Sequence, residues 1–139
     1  MSEWIDDGYC IACGENNPIG MHLKFEAVGE GIEAKYAFPR EFQGYSNMAH
    51  GGMIALLLDE IMVNLPWKKY NTPVVSADIR IKLKKPIMTG EPVRARAWFV
   101  KEKSRVFIVK SEVLLEKDGT IAAEGEALCV KVDGKKTGI

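Results

Sequence analysis

This sequence lacks an excess of positive or of negative charge. Nineteen Lys and Arg residues balance nineteen Asp and Glu residues over 139 positions, so the formal net charge is zero. A chain without a global basic field has no nonspecific attraction for nucleic acid or for an anionic membrane surface. We therefore expect neither as a partner, and an anionic ligand must bind to a local group of basic residues.

Long apolar runs and an export signal are also missing. No run approaches the roughly 20 residues of a membrane span. The opening MSEWIDDGYC is acidic and lacks the basic and then apolar order of a signal peptide. Cysteine is scarce, and the odd number of three (Cys10, Cys13 and Cys129) disfavours a disulfide framework. We expect a cytoplasmic protein with reduced thiols.

The composition is that of an ordinary globular protein, with 47% apolar and 27% charged residues. A chain of 139 residues has the common size of one domain. We expect a single domain over residues 1–139. Residues 1–20 are rich in Gly, Asn, Pro and Cys and form a turn-rich leader.

Hydrophobic periodicity predicts the element order ββαββββ. Two alternating runs, 21–27 and 32–38, predict a hairpin, and the dense apolar stretch 52–65 predicts a helix that Pro66 ends. From Val74 onward, Val75, Ala77, Ile79, Ile81 and Leu83 alternate with Ser76, Asp78, Arg80, Lys82 and Lys84, which predicts a half-buried strand. Further strands are predicted over 92–102, 105–116 and 120–132.

These elements predict the α+β class, with a long curved antiparallel sheet of about six strands around one central helix. Apolar residues surround nearly the whole helix, so other elements must enclose it. One helix cannot cover six strands completely. We therefore expect the chain to pair with a copy of itself.

A pair of glycines, Gly51 and Gly52, follows His50 at the predicted helix start. The first N–H groups of a helix have no partner within it, and glycine lets a ligand approach closely, so these amides are suited to stabilise an oxyanion. A tight turn that requires a permissive residue explains the pair equally well. Both interpretations stay open from the motif alone.

Asp59 and Glu60 interrupt the apolar helix. A desolvated carboxylate beside a pocket is a strong base or nucleophile, whereas a structural carboxylate would accept hydrogen bonds or fix an interface. The two side chains point about 100° apart around the helix, so we expect only one, Asp59, to face a substrate. Gly51 lies about 12 Å from Asp59 along the axis. If both act on one carbon, the site is shared between two chains.

These motifs in this order resemble the hot-dog thioesterase superfamily, in particular its phenylacetate-degradation-type branch. They are Gln43, the HGG triplet at 50–52, LLLDEIM around Asp59, and SADIRIKLKKP. The leader CIACGENNPIGMHLKF is also similar to the leader of many members of that branch. The resemblance covers nearly the entire chain.

The resemblance implies a hot-dog fold that assembles as dimers or dimers of dimers and hydrolyses acyl-CoA thioesters. It implies that Asp59 is the nucleophile or general base and that Gly51, with Gly52 beside it, forms the oxyanion hole. Gln43, or else Asn47, resembles the polar residue that contacts the thioester, and Ser76 resembles a residue that positions water. No cofactor or metal is needed, and coenzyme A enters only as part of the substrate.

Basic residues on and just after the third predicted strand suit the phosphates of coenzyme A. They are Arg80, Lys82, Lys84 and Lys85, with Arg94 and Arg96 on the next strand. A solvated polar face explains each of them individually.

Other candidates are weaker. Cys10 and Cys13 have the spacing of half a zinc site or a redox pair, but nothing in the spacing connects them to His22 or Cys129. We expect thiols buried in a turn and no metal. His50 is expected to orient its loop in preference to catalysing the reaction. Trp4, Trp67 and Trp98 are expected to pack in the core or at an interface.

Two other functions stay open. One is a noncatalytic acyl-CoA or acyl-carrier binding module, in which Asp59 is structural. The other is a dehydratase, which requires a His paired with an acidic residue. The acyl group cannot be deduced, although Met53, Met62 and Trp67 are candidates for the pocket wall.

Overall fold

One long helix and six antiparallel strands are found in the computed structural model, which describes residues 5–132. The elements are β1 (Glu26–Val28), β2 (Gly31–Tyr36), a short 3-10 helix (Arg40–Phe42), α1 (Gly51–Tyr70), β3 (Val74–Leu83), β4 (Val93–Glu102), β5 (Val106–Leu115) and β6 (Ile121–Lys131). The predicted order ββαββββ is confirmed. Trp4 lies outside the described residues, and the domain extent of 1–139 stays a prediction.

The six strands form one sheet in the order β1-β2-β4-β5-β6-β3. All neighbours are antiparallel, and within residues 5–132 β3 pairs only with β6. Alternate residues of β4, β5 and β6 are buried against α1, as the period of two predicted. The predicted α+β class, a curved sheet around one helix, is confirmed.

One face of α1 is buried and the opposite face is only half-buried. The buried side chains recur three and four residues apart, the spacing of one helix face: Ile54, Leu57, Leu58, Ile61, Met62 and Leu65. On the other face, Met53, Leu56 and Val63 pack at the margin of the core. No helix in the described part of the chain is long and apolar enough to cross a membrane.

The prediction that Pro66 ends the helix is wrong. The helix continues to Tyr70 and stops at Asn71, which has a left-handed φ of 53° and donates its N–H to the Trp67 carbonyl at 2.8 Å. Proline removes one helical donor, but Pro66 is buried and the Tyr70 ring stacks on Phe107. Packing of the last helical turn therefore outweighs the tendency of proline to end a helix.

The predicted first strand, 21–27, begins only at Glu26 in the structure, where the three-residue β1 runs to Val28. Met21 and Leu23 donate their N–H groups to the carbonyls of Ile11 and Ala12, both at 2.9 Å, instead of to a strand. Between them, His22 has a left-handed φ of 56°. Met21 and Leu23 therefore bond to the leader and not to the sheet, because carbonyls of the leader accept their N–H groups.

The predicted alternation in β3 fails at one point because of a β-bulge. Ser76 pairs with Cys129 and Asp78 pairs with Leu128, so Ala77 has no partner of its own. Since Cys129 is buried, Ser76 shares the inner face with it, whereas the alternation predicted Ser76 on the outer face. One inserted residue reverses the orientation of Ser76.

Candidate active site

The loop before α1 is closed on itself by hydrogen bonds. His50 N–H donates to the Phe42 carbonyl at 2.9 Å, and Gln43 Oε1 accepts from the N–H of Asn47 at 3.2 Å. Asn47 has a left-handed φ of 65°, which asparagine tolerates well. Both polar candidates of this loop are thus bonded to each other near the start of the helix.

The two glycines at the start of α1 differ in what their N–H groups bind. His50 is the N-cap, and its Nδ1 accepts the Gly52 N–H at 2.8 Å. For Gly51 N–H, no acceptor is found between residues 5 and 132. Of the two candidates, Gly51 therefore has the amide that is free to bind a substrate oxygen. The contact of His50 is with the helix end, as expected for an orienting residue.

Gly51 also has a steric constraint. A Cβ at this position would lie 2.8 Å from Leu83 Cδ1, closer than real Cβ atoms approach a neighbour. The tight packing gives glycine a structural reason to be present beside the functional one. Mutagenesis can separate the structural from the functional interpretation, because the obstructing atom is the end of the flexible Leu83 side chain.

Asp59 is a half-buried carboxylate with an unsatisfied atom. Its Oδ1 is buried and has no hydrogen bond of normal geometry within the described range 5–132. Burial raises the pKa of Asp59, and the nearby Ser76 hydroxyl partly opposes this rise. A desolvated carboxylate beside a hydroxyl is suited to take a proton from water.

Cys129 lies close to this carboxylate but is not a nucleophile. Burial, with a smaller contribution from the charge of Asp59, raises the pKa of its thiol to about 11. The thiolate is the reactive form of cysteine, so this side chain is inert at neutral pH. The bulge at Ala77 brings Ser76, opposite Cys129, to the same side as Asp59.

Gly51 and Asp59 lie on the same unbroken helix, eight residues apart. Their separation along the axis is therefore about 12 Å, too long for both to contact one carbon. The structure places the two strongest candidates in one element and does not bring them together within one chain.

Glu60 faces a different environment from Asp59. Its Oε2 accepts from Asn64 Nδ2 at 2.8 Å and lies 3.7 Å from Cys10 Sγ, with Cys13 also close. Sequence reasoning missed this cluster, because Cys10 and Glu60 are 50 positions apart in the chain. The sequence contained two signals, the Glu60 carboxylate in an apolar helix and the Cys-x-x-Cys spacing. Neither signal indicated that the glutamate and the cysteines lie side by side.

The basic residues of β3 lie among acidic residues. Arg80 and Lys82 stand opposite Glu126 and Glu124 on the outer face of the sheet, and Lys84 Nζ is 3.4 Å from a Glu124 oxygen. On β4, the two arginines are paired with glutamates: Arg94 with Glu116 and Arg96 with Glu112, each at 2.7 Å. These residues do not form a patch of unopposed positive charge. Lys85 follows at the end of β3, where its N–H donates to the Ala122 carbonyl at 3.0 Å.

The tryptophan and methionine residues considered for the core, an interface or the pocket wall lie in different parts of the structure. Met62 is fully buried in the core, so it cannot line an open pocket wall. Met53 is half-buried, and Trp67 lines a cavity beside the leader. Trp98 is 37% exposed on the outer face of β4.

A family model described as the thioesterase superfamily matches residues 46–122, more than half of the chain. The chain belongs to the thioesterase superfamily. Thioester hydrolysis is therefore its class of reaction, and the matched segment contains Gly51, Asp59 and Ser76. No protein of curated function matches this thioesterase-superfamily sequence.

Solved structures of thioesterases share the fold. Zebrafish thioesterase superfamily member 2 aligns with a TM-score of 0.76 and 17% identity, over 87% of this chain and 90% of that one. A thioesterase from Haemophilus influenzae gives 0.76 and 18%, over 87% and 85%. The PaaI protein from the E. coli phenylacetic acid degradation operon gives 0.75 and 13%, over 82% of both chains. The predicted hot-dog fold is confirmed.

We expect Asp59→Asn to stabilise the fold at neutral pH. The raised pKa of Asp59 means that the folded chain binds the proton more tightly than the unfolded chain does, so ionisation costs stability. That cost appears as pH rises above the ordinary value of 3.8 and is complete above the folded-state pKa. The urea midpoint of Asp59→Asn should be higher than that of the wild-type protein at about pH 7, and the two midpoints should converge at about pH 3. The exposed Asp78→Asn is the matched control, and an equal gain from it would contradict the assignment.

Proposed function

We propose that this protein is an acyl-CoA thioesterase that works as a homodimer. The observation that carries the proposal is the desolvated Asp59 carboxylate beside Ser76, in a chain of the thioesterase superfamily. The free thiols of the three cysteines fit the cytoplasmic location that belongs to this proposal. The acyl group is left to experiment.

Asp59 is the proposed base, and Ser76 positions the water. Asp59 takes a proton from the water, whose oxygen attacks the thioester carbonyl carbon. The carbonyl oxygen becomes an oxyanion, to which the free N–H of Gly51 donates. The C–S bond then breaks, and the sulfur leaves as thiolate or takes the proton back from Asp59. Direct attack by Asp59 on the carbonyl is the alternative first step.

The glycine and the carboxylate of one site come from different chains in this proposal. A separation of about 12 Å along α1 prevents them from meeting within one chain. A twofold axis that brings two α1 helices side by side would place each Asp59 near the other chain's Gly51. Two copies of the site would result.

The edge strand β3 is the proposed contact between the chains. It is ten residues long, pairs on one side with β6 alone among the strands of the described chain, and carries Ile79 and Leu83 at 40% and 55% exposure. A long edge strand with exposed apolar side chains pairs readily with another strand. The half-buried Met53 and Leu56 on α1 provide apolar surface for the same contact.

Lys84 and Lys85 are the basic residues best placed for the phosphates of coenzyme A. They follow Leu83, whose side chain lies against Gly51, so they sit at the same end of α1 as the proposed oxyanion hole. Arg80 and Lys82 lie further along β3 from this end of α1, and Lys84 is about half exposed although its Nζ lies 3.4 Å from a Glu124 oxygen. The proposal therefore assigns most of the phosphate contact to the two lysines.

Asp59→Asn should sharply reduce turnover. Loss of the proposed base should lower kcat by about 10²- to 10⁴-fold while the fold persists. The measurement is free-thiol release from short, medium, long and aromatic acyl-CoAs, with Asp78→Asn as the control. Wild-type protein that binds an acyl-CoA without hydrolysing any of the panel would instead indicate a binding module.

Gly51→Ala keeps the backbone N–H, but its methyl group should hold the substrate oxygen away from that donor and so lower kcat by up to about 10²- to 10³-fold, the loss that follows removal of one oxyanion donor. The double variant Gly51→Ala with Leu83→Ala tests the cause, because it removes the atom that crowds the new Cβ. We expect activity to stay low in the double variant, since the methyl group still blocks the approach of the substrate. Recovery to the level of Leu83→Ala alone would show that glycine is needed only for packing.

Mixing the two inactive chains should restore activity. In a mixed dimer, the Asp59→Asn chain supplies Gly51 and the Gly51→Ala chain supplies Asp59, so one of the two sites is intact. Random exchange in an equal mixture should give about a quarter of wild-type activity. Refolding the chains together and assaying thiol release measures this. A mixture as inactive as its components would place each site within one chain.

A further inference from the structure

The leader and the central helix converge on a cluster of two thiols and a carboxylate outside the proposed active site. Cys10 Sγ, Cys13 Sγ and a carboxylate oxygen of Glu60 all lie within 4.8 Å of one another. The cysteines come from the leader and the glutamate from the middle of α1, 50 positions after Cys10. All three side chains are half-buried.

The leader turn shapes this cluster. The N–H of Gly14 donates to the Cys10 carbonyl at 2.9 Å, which closes the turn, and the N–H of Ala12 points at Cys10 Sγ at 3.4 Å. A side chain at position 14 is excluded, because a Cβ there would lie 2.4 Å from the Cys10 nitrogen. The turn therefore holds both thiols on one side and directs a backbone N–H at a sulfur, as suits a thiolate.

Glu60 is held toward the thiols from the helix. Asn64, one turn later, donates through Nδ2 to Glu60 Oε2 at 2.8 Å and to the Glu60 carbonyl at 2.9 Å. The amide fixes the orientation of the carboxylate. Such an outer partner is what metal-binding carboxylates ordinarily have.

We infer that Cys10, Cys13 and Glu60 bind a zinc-type divalent cation. Zinc bonds of about 2.3 Å to sulfur and 2.0 to 2.2 Å to oxygen place tetrahedral ligands roughly 3.6 Å apart. The separation of 3.7 Å between Cys10 Sγ and Glu60 Oε2 matches this geometry. Binding releases the thiol protons to solvent, and the cation then neutralises the converging anions.

The fourth position opens to solvent. A cavity of about 430 Å³ adjoins the cluster, with Asp6, Asp7 and Trp67 also in its wall. Water or a carboxylate from that wall can complete the tetrahedron. Neither His22 nor Cys129, the partners considered from the sequence, belongs to the cluster: His22 Nε2 contacts the Asn17 carbonyl at 2.7 Å, and Cys129 lies beside Asp59.

Such a site would attach the leader to α1 next to Asp59. The sequence offered only two ligands and predicted no metal, and the third ligand is visible only in three dimensions. The inference does not depend on the proposed thioesterase reaction, because it is tested without substrate.

Cobalt substitution tests the inference. Protein purified under reducing conditions and freed of metal is titrated with Co²⁺ and then with Zn²⁺, and thiolate-to-cobalt charge-transfer absorption is recorded. We expect one ion per chain, with absorption lost in Cys10→Ser and Cys13→Ser and kept in the matched control Cys129→Ser. Zinc should also raise the Tm of the wild-type protein but not of the two leader variants.

Two further variants keep the test decisive if the cysteine variants fold poorly. Asn64→Ala should weaken Zn²⁺ binding by about 10- to 100-fold, as loss of an outer partner does, and Glu60→Gln should weaken it at least as much. Far-UV circular dichroism checks the fold of each. The inference is overturned if reduced wild-type protein shows no charge-transfer band, if Cys129→Ser removes it, or if Glu60→Gln binds as wild type does. A Cys10–Cys13 disulfide whose reduced form takes up no metal would overturn it as well.

Discussion

The close packing of α1 against the sheet is the constraint on which the other features depend. It is close at Gly125 of β6, where an added Cβ would lie 3.1 Å from Met62 Cε of the helix and 2.6 Å from Ser111 Oγ of the neighbouring strand β5. Since Ile61 and Met62 are fully buried there, the preceding turn of the helix cannot rotate. Asp59 is thereby fixed toward Ser76, and Glu60 is fixed toward the leader. The packing of this one turn therefore places the carboxylates of Asp59 and Glu60 in separate environments.

The surface of α1 that the sheet does not cover is divided between two neighbours. The leader occupies the side of Glu60, where Cys10 and Cys13 lie. The side of Asp59 adjoins the exposed edge β3, where we propose that a second chain binds. This division explains why the helix is apolar around most of its circumference although only one face is buried within one chain.

The sequence predicted the elements well and their exceptions poorly. The order ββαββββ followed from periodicity, and the helix start followed from the glycines after His50. Pro66 was misjudged because buried packing of Pro66 and Tyr70 outweighs the lost donor. The orientation of Ser76 was missed because pairing with β6, distant in the chain, determines the bulge. The approach of Glu60 to Cys10 was missed for the same reason, since spacing within one segment carries no information about distant contacts.

The position of β3 has a consequence for synthesis on the ribosome. The strand follows α1 directly, yet the one partner that it has in the described part of the sheet is β6, which ends at Lys131. A nascent chain thus carries the completed apolar helix through the emergence of β4 and β5 before the sheet can close over it. Unprotected apolar surface of this kind recruits chaperones and promotes aggregation. Interrupted translation before β6 would therefore yield fragments that cannot shield their own helix.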